Sequence, residues 1–129
     1  GIDITGVDYY TSVRTLERLN GVVCDKLRHV DALVVPTVPH TPPTVEEVAD
    51  IDDYFAANGL MTQNTQPINM LALCGVSIPV ALDKAGMPVG LQLVGASGTE
   101  ERVLSTALAC ERHFGTARER FGVPPLLAG

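Results

Sequence analysis

The sequence predicts an α/β domain on three observations: a long amphipathic helix running straight into a short apolar strand, two strands joined by a tight turn, and a helix with recognisable end signals near the C-terminus. Of 129 residues, 46% are hydrophobic and 19% charged, which is ordinary for a globular domain and too short a chain for two. Residues 1–129 are therefore read as a single domain. At this length folding removes roughly two thirds of the unfolded surface from water, enough for a core that needs neither metal nor disulfide.

From about Val7 to Val30, apolar residues recur every three or four positions (Val13, Leu16, Leu19, Val23, Leu27, Val30), with Arg14, Arg18, Asp25 and Lys26 between them, the pattern of an amphipathic helix. Asp31 breaks it, and Ala32–Val35 reads as a short buried strand stopped by Pro36. Pro36 to Asp53 carries three more prolines and five acids, a surface loop with one short helix from Thr44. Thr65 to Cys74 reads as a short helix entered at Pro67, and Gly75 resets the chain. Val76–Ala81 and Val89–Val94 form a hairpin across the turn residues Asp83–Met87. Pro79 cannot donate to a ladder, so its strand is either an edge there or bulged. Ser97 or Thr99 N-caps the last helix, Glu100 and Glu101 suit its positive end, and Val103, Leu104, Ala107, Leu108 and Phe114 form its buried stripe. Gly115 ends it and leaves a tail containing Pro124 and Pro125.

Nine basic and 15 acidic residues give a net charge of −6, and no Lys/Arg cluster could neutralise a row of phosphates, so neither nucleic acid nor an anionic membrane is an expected partner. Cys24, Cys74 and Cys110 are odd in number and widely spaced, which argues against a disulfide framework and for a cytoplasmic location. No apolar run reaches the ~18 residues of a membrane span. Gly1 in place of an initiator methionine is read as the start of a processed or excised chain.

No active site emerges from the residues alone. Gly75-Val76-Ser77-Ile78-Pro79 begins like a nucleophile elbow but has proline where the strained turn needs its second glycine. The neighbours of Cys74 are apolar, favouring a buried structural thiol over a nucleophile. His29, His40 and His113 lack a second ligand at metal spacing, and the acids from Glu46 to Asp53 lack the glycine of a calcium loop, so no metal site is expected. No phosphate-binding glycine motif is present, and no cofactor is implied.

Three stretches in order resemble the C-terminal part of the amidase-signature family: Asp31-Ala-Leu-Val-Val-Pro-Thr-Val-Pro39, Thr65-Gln-Pro-Ile-Asn69 followed by Gly75-Val-Ser-Ile-Pro79, and Gly86-Met-Pro-Val-Gly-Leu-Gln-Leu-Val-Gly95 with a helix after it. Ala72 and Cys74 depart from the family pattern, where many members have glycine and proline. The resemblance implies a mixed-sheet α/β/α fold and hydrolysis of a carboxamide by a serine nucleophile, a bridging serine in a cis peptide and a lysine. Those three residues belong to a Gly/Ser-rich N-terminal part, so no catalytic residue is assigned to this chain, which has Ser12, Ser77, Ser97 and Ser105 and only Lys26 and Lys84. The chain is read as a C-terminal fragment, inactive alone.

The resemblance also implies that Thr62, Thr65 and Asn69 bind a small-molecule amide substrate in the intact enzyme, since the uncharged polar run from Thr62 to Asn69 leads into the apolar Met70–Leu73. The alternative is that Thr65 caps a helix and Asn69 satisfies nearby backbone. Other readings are a glutaminase-type subunit of a tRNA-dependent amidotransferase and a free-standing, non-catalytic interaction domain. In the former, the position of Thr62 tends to hold an acid for the substrate ammonium, a role Thr62 cannot fill. A sheet cut off from neighbouring strands leaves an open edge, so self-association is expected.

Overall fold

The computed structural model describes residues 3–123; Gly1 and the tail with Pro124 and Pro125 lie outside them. Thr5 caps α1 (Gly6–Leu27) by accepting the Asp8 N–H at 3.1 Å. The helix stops three residues short of the expected Val30, which is 47% exposed. Strand β1 (Leu33–Pro36) follows, then a 3-10 turn (Glu46–Val48) held by a Thr44–Glu47 exchange, Thr44 N–H to Glu47 Oε2 at 2.8 Å and Glu47 N–H to Thr44 Oγ1 at 3.3 Å.

Part of the expected loop is helical. Asp50 accepts the Asp52 N–H at 2.8 Å and opens α2 (Ile51–Met61). Its apolar residues Ile51, Tyr54 and Phe55 are exposed, so they make no buried stripe for a periodicity argument to find. Helix α3 (Gln66–Met70) ends four residues before the expected Cys74, because Ala72 takes the left-handed conformation (φ +50°) and turns the chain into β2 (Cys74–Leu82). The hairpin to β3 (Pro88–Gly95) is held by Asp83, whose Oδ1 accepts the N–H groups of Ala85 and Met87 at 2.8 Å each, with Gly86 at φ +81°. Both options left by Pro79 are realised: β2 is an edge strand, and its register slips between Pro79 and Ala81.

The sheet order is β1-β3-β2, antiparallel throughout. Register assigns its faces. Val34, Leu93 and Val76 share a row on one side; Val35, Gln92 and Ser77 share the next row on the other. Helix α4 (Glu100–Phe114) covers the first side, where Leu93, Val103 and Ala107 pack with Ala32, Cys74, Val76, Ile78 and Cys110. Gly95 permits this approach, since a Cβ there would meet the Val103 side chain and stand 2.6 Å from Thr99 Oγ1.

Two burial expectations are corrected. Strand β1 is not buried: Leu33 and Val34 are about half exposed because β1 is an edge that α4 does not cover. The stripe of α4 is narrower than expected, for Val103, Ala107 and Cys110 face the sheet while Leu104, Leu108 and Phe114 turn outward. Thr99 is the N-cap residue, but its hydroxyl donates to Ala96 O at 2.8 Å instead of capping, and Gly115 (φ +89°) ends the helix. A last short helix, α5 (Ala117–Phe121), opens on a Thr116–Glu119 capping box, whose hydrogen bonds from the Thr116 backbone N–H and hydroxyl hold the Glu119 carboxyl below its usual pKa. Among the described residues no helix is long and apolar enough to cross a membrane.

Candidate functional site

The segment Thr62–Asn69 consists of overlapping turns over Thr62–Thr65, between α2 and α3, and the first four residues of α3. Thr62 is the C-cap of α2, and its hydroxyl donates to Asn58 O at 2.9 Å and Gly59 O at 3.3 Å. Its own carbonyl accepts the Gln66 N–H at 2.8 Å, the Thr65 N–H at 3.1 Å and the Thr65 hydroxyl at 3.3 Å. Thr65 stands at the N-cap position of α3 without capping it by its side chain, so the capping alternative does not hold for this residue. Asn69 is exposed.

Two contacts fix this segment to the sheet. Asn64 Nδ2 donates to Pro36 O at 2.8 Å, at the end of β1. Ile68 is 9% exposed and lies against Gly75 of β2, on the side away from α4. Gln63, Gln66 and Asn69 are left facing solvent, polar and uncharged. Beyond Asn69, Met70 and Ala72 line a groove of about 440 Å³ together with Val13, Leu16, Glu17 and Asn20 of α1 and Ser97. Asn20 Nδ2 donates to Leu71 O at 2.5 Å and Ser97 Oγ at 2.8 Å, and the Ser97 hydroxyl donates to Ala72 O at 2.5 Å, which ties α1 to the turn.

The sheet face beneath the segment is more polar than the apolar strand pattern suggests. Thr37 and Ser77 hydroxyls lie 2.5 Å apart across Gly90, where a Cβ would stand 2.6 and 2.7 Å from the two oxygens. Gln92 is buried beside Ser77 in the same row. A sequence signal exists for this pair of positions: Gly90 and Gln92 alternate with apolar residues in β3, and period two puts them on one face. Ser77 sits within an extended strand and not on a strand-to-helix turn, which removes the nucleophile elbow. Cys74 Sγ lies 3.2 Å from Ala96 O on the α4 side. Lys26 and Lys84 are both exposed, one at the end of α1 and one in the hairpin turn. Among the described residues no three His, Cys, Asp or Glu side chains are grouped to hold a metal ion.

The chain is 33% identical over 123 residues to a 2-amino-5-chloromuconic acid deaminase of Comamonas testosteroni, covering 95% of the chain and 27% of that protein. It is 38% identical over 87 residues to a glutamyl-tRNA(Gln) amidotransferase subunit of Ruegeria pomeroyi, covering 67% of the chain and 17% of that protein. A crystal structure of an amidase superposes with a TM-score of 0.70 at 33% identity, covering 89% of the chain and 27% of its own. The chain thus spans about a quarter or less of the length of these relatives. Residues 5–104 match the family described as Amidase, and with the three sequence stretches falling on β1, the α3–β2 connection and the hairpin, the chain belongs to the amidase family.

Proposed function

We propose that residues 1–129 are a single-domain, C-terminal segment of an amidase that hydrolyses a carboxamide C–N bond, and that Thr62, Thr65 and Asn69 are its contribution to the substrate pocket. The serine pair and lysine of the reaction come from the part of the enzyme outside this sequence. The observation that supports the site is the fixing of the Thr62–Asn69 segment by Asn64 and Ile68, which leaves Gln63, Gln66 and Asn69 exposed, polar and uncharged, directly before Met70 of the neighbouring groove. Such an arrangement orients a neutral amide by a few hydrogen bonds while the wall accepts its apolar part. The amidotransferase reading draws support from the 38% identity to the Ruegeria pomeroyi protein, but Thr62 offers no charge for a substrate ammonium. The three free cysteines support a cytoplasmic location.

The test uses the intact enzyme. Asn69→Ala is expected to leave stability within about 0.5 kcal/mol, as exposed substitutions do, while changing the order of kcat/KM across amides of different side chain. Thr62→Ala removes a hydroxyl that serves the end of α2 and is expected to lower stability by about 1 kcal/mol; a change in substrate order on top of that loss marks the pocket role. Should both variants keep the wild-type order, Thr62 and Asn69 are only structural.

The proposed partner of the isolated chain is a second copy of itself. Among the described residues β1 leaves one edge unpaired with Leu33 and Val34 half exposed, and α1 exposes Val7, Tyr9 and Tyr10. Sedimentation over a concentration series is expected to show an average mass rising above 13.7 kDa. A constant monomer mass at the highest concentration excludes this.

A further inference from the structure

One buried group in the sheet has unmet hydrogen-bonding capacity. Gln92 is 9% exposed, lies in the row between Val35 and Ser77, and its Oε1 has no hydrogen-bond partner among the described residues. An apolar side chain of the same shape would avoid the desolvation of an unpaired amide. Buried polar groups of this kind are found where function needs them or where a partner has yet to arrive. Its amide lies beside α3 on the sheet: the Cβ position of Gly75 is 3.4 Å from Gln92 Nε2 and 3.9 Å from Ile68 Cγ2, so the same backbone position meets both side chains.

The segment above it carries a donor that is weakly used. Thr65 precedes Ile68 by three residues, which puts both on one side of α3. Asn64 is bonded to Pro36 O, next to Val35, the β1 partner of Gln92. The half-buried Thr65 hydroxyl donates to Thr62 O at 3.3 Å, and that oxygen already accepts two N–H groups at 2.8 and 3.1 Å. A carbonyl oxygen has two lone pairs, so the hydroxyl is the third and most distant donor.

We propose that Gln92 is a positioning residue for the substrate-binding segment: in the assembled enzyme its amide oxygen accepts a hydrogen bond from the Thr65 hydroxyl, directly or through one buried water, and so fixes Thr62–Asn69 against the sheet. This rests on the reading of that segment as pocket wall. Gln92 makes no contact with substrate and acts through the placement of Thr65 and Asn69.

The test compares Gln92→Met, which keeps the shape and removes the acceptor, Thr65→Val, which removes the donor, and the double variant, all in the intact enzyme. Each single variant is expected to lower kcat/KM about tenfold, chiefly through KM, the size of effect one neutral hydrogen bond supports. The double variant should be no worse than Thr65→Val alone, because Gln92 acts through Thr65 and has nothing to position once that hydroxyl is gone. Gln92→Met should melt at or above the wild-type temperature, which separates positioning from a structural role. The inference is overturned if Gln92→Met keeps kcat/KM within about twofold, if the two losses multiply to about a hundredfold as independent sites would, or if the loss of activity follows a fall in melting temperature. Thr62→Ala and Asn69→Ala serve as the control: if they leave substrate order unchanged the pocket reading itself fails, whereas if they change it and Gln92→Met keeps kcat/KM within about twofold, only the role of Gln92 fails.

Discussion

Replacing Leu93 by alanine is expected to remove about 2–5 kcal/mol of folding stability, the range for truncating a fully buried leucine. Leu93 is 1% exposed at the centre of the middle strand, where it meets Val103 and Ala107 of α4. The loss is large against the whole, since domains are stable by only about 5–15 kcal/mol and the buried core here is confined to a few side chains on either side of β3. Urea denaturation should show a midpoint lower by at least about 0.7 M, given slopes of about 1–3 kcal/mol/M for small proteins. A shift under about 0.3 M would mean that the core does not centre on β3. The site is tied to the same strand, because Gly90 and Gln92 occupy its opposite face and depend on its register.

How much of this is legible in the sequence depends on whether an element's neighbours lie within the chain. Helix α4 and the hairpin are readable because their signals are local: acids in the first turn, Gly115 at the end, and Asp83 and Gly86 in the turn. Leu33, Val34 and Val35 make β1 read as buried, yet only β3 pairs with it here. Hydrophobicity records the surroundings for which a strand was selected, and on the proposed reading those include the rest of the enzyme. Helix α2 escapes a periodicity reading because Ile51, Tyr54 and Phe55 face outward and Gly59 interrupts the run. The end of α3 is hard to place because alanine carries no turn signal, although the φ of +50° at Ala72 is one that glycine adopts more readily. The candidate site itself is legible only through family resemblance. Its polar floor, Thr37, Ser77 and Gln92, is gathered from β2, β3 and the residue after β1, and no spacing along the chain announces it.

The 129-residue chain by itself is expected to give no amide hydrolysis above buffer, a loss of at least about a millionfold relative to the intact enzyme if that enzyme accelerates the reaction as enzymes ordinarily do. A serine nucleophile needs a base in hydrogen-bond reach, and a lysine acts as base only where burial or neighbouring charge removes its own proton. Lys26 and Lys84 are exposed and stand on separate elements, neither within hydrogen-bond distance of a serine hydroxyl among the described residues. The Ser77 hydroxyl is paired with Thr37, a neutral group that cannot hold its proton, and Ser97 donates to a backbone carbonyl. The measurement is purified chain against a panel of aliphatic and aryl amides, with Ser77→Ala and Cys74→Ala beside it. Turnover that survives both substitutions comes from a contaminating enzyme. Turnover abolished by either would place a nucleophile in this chain and overturn the assignment of catalysis to the remainder of the amidase.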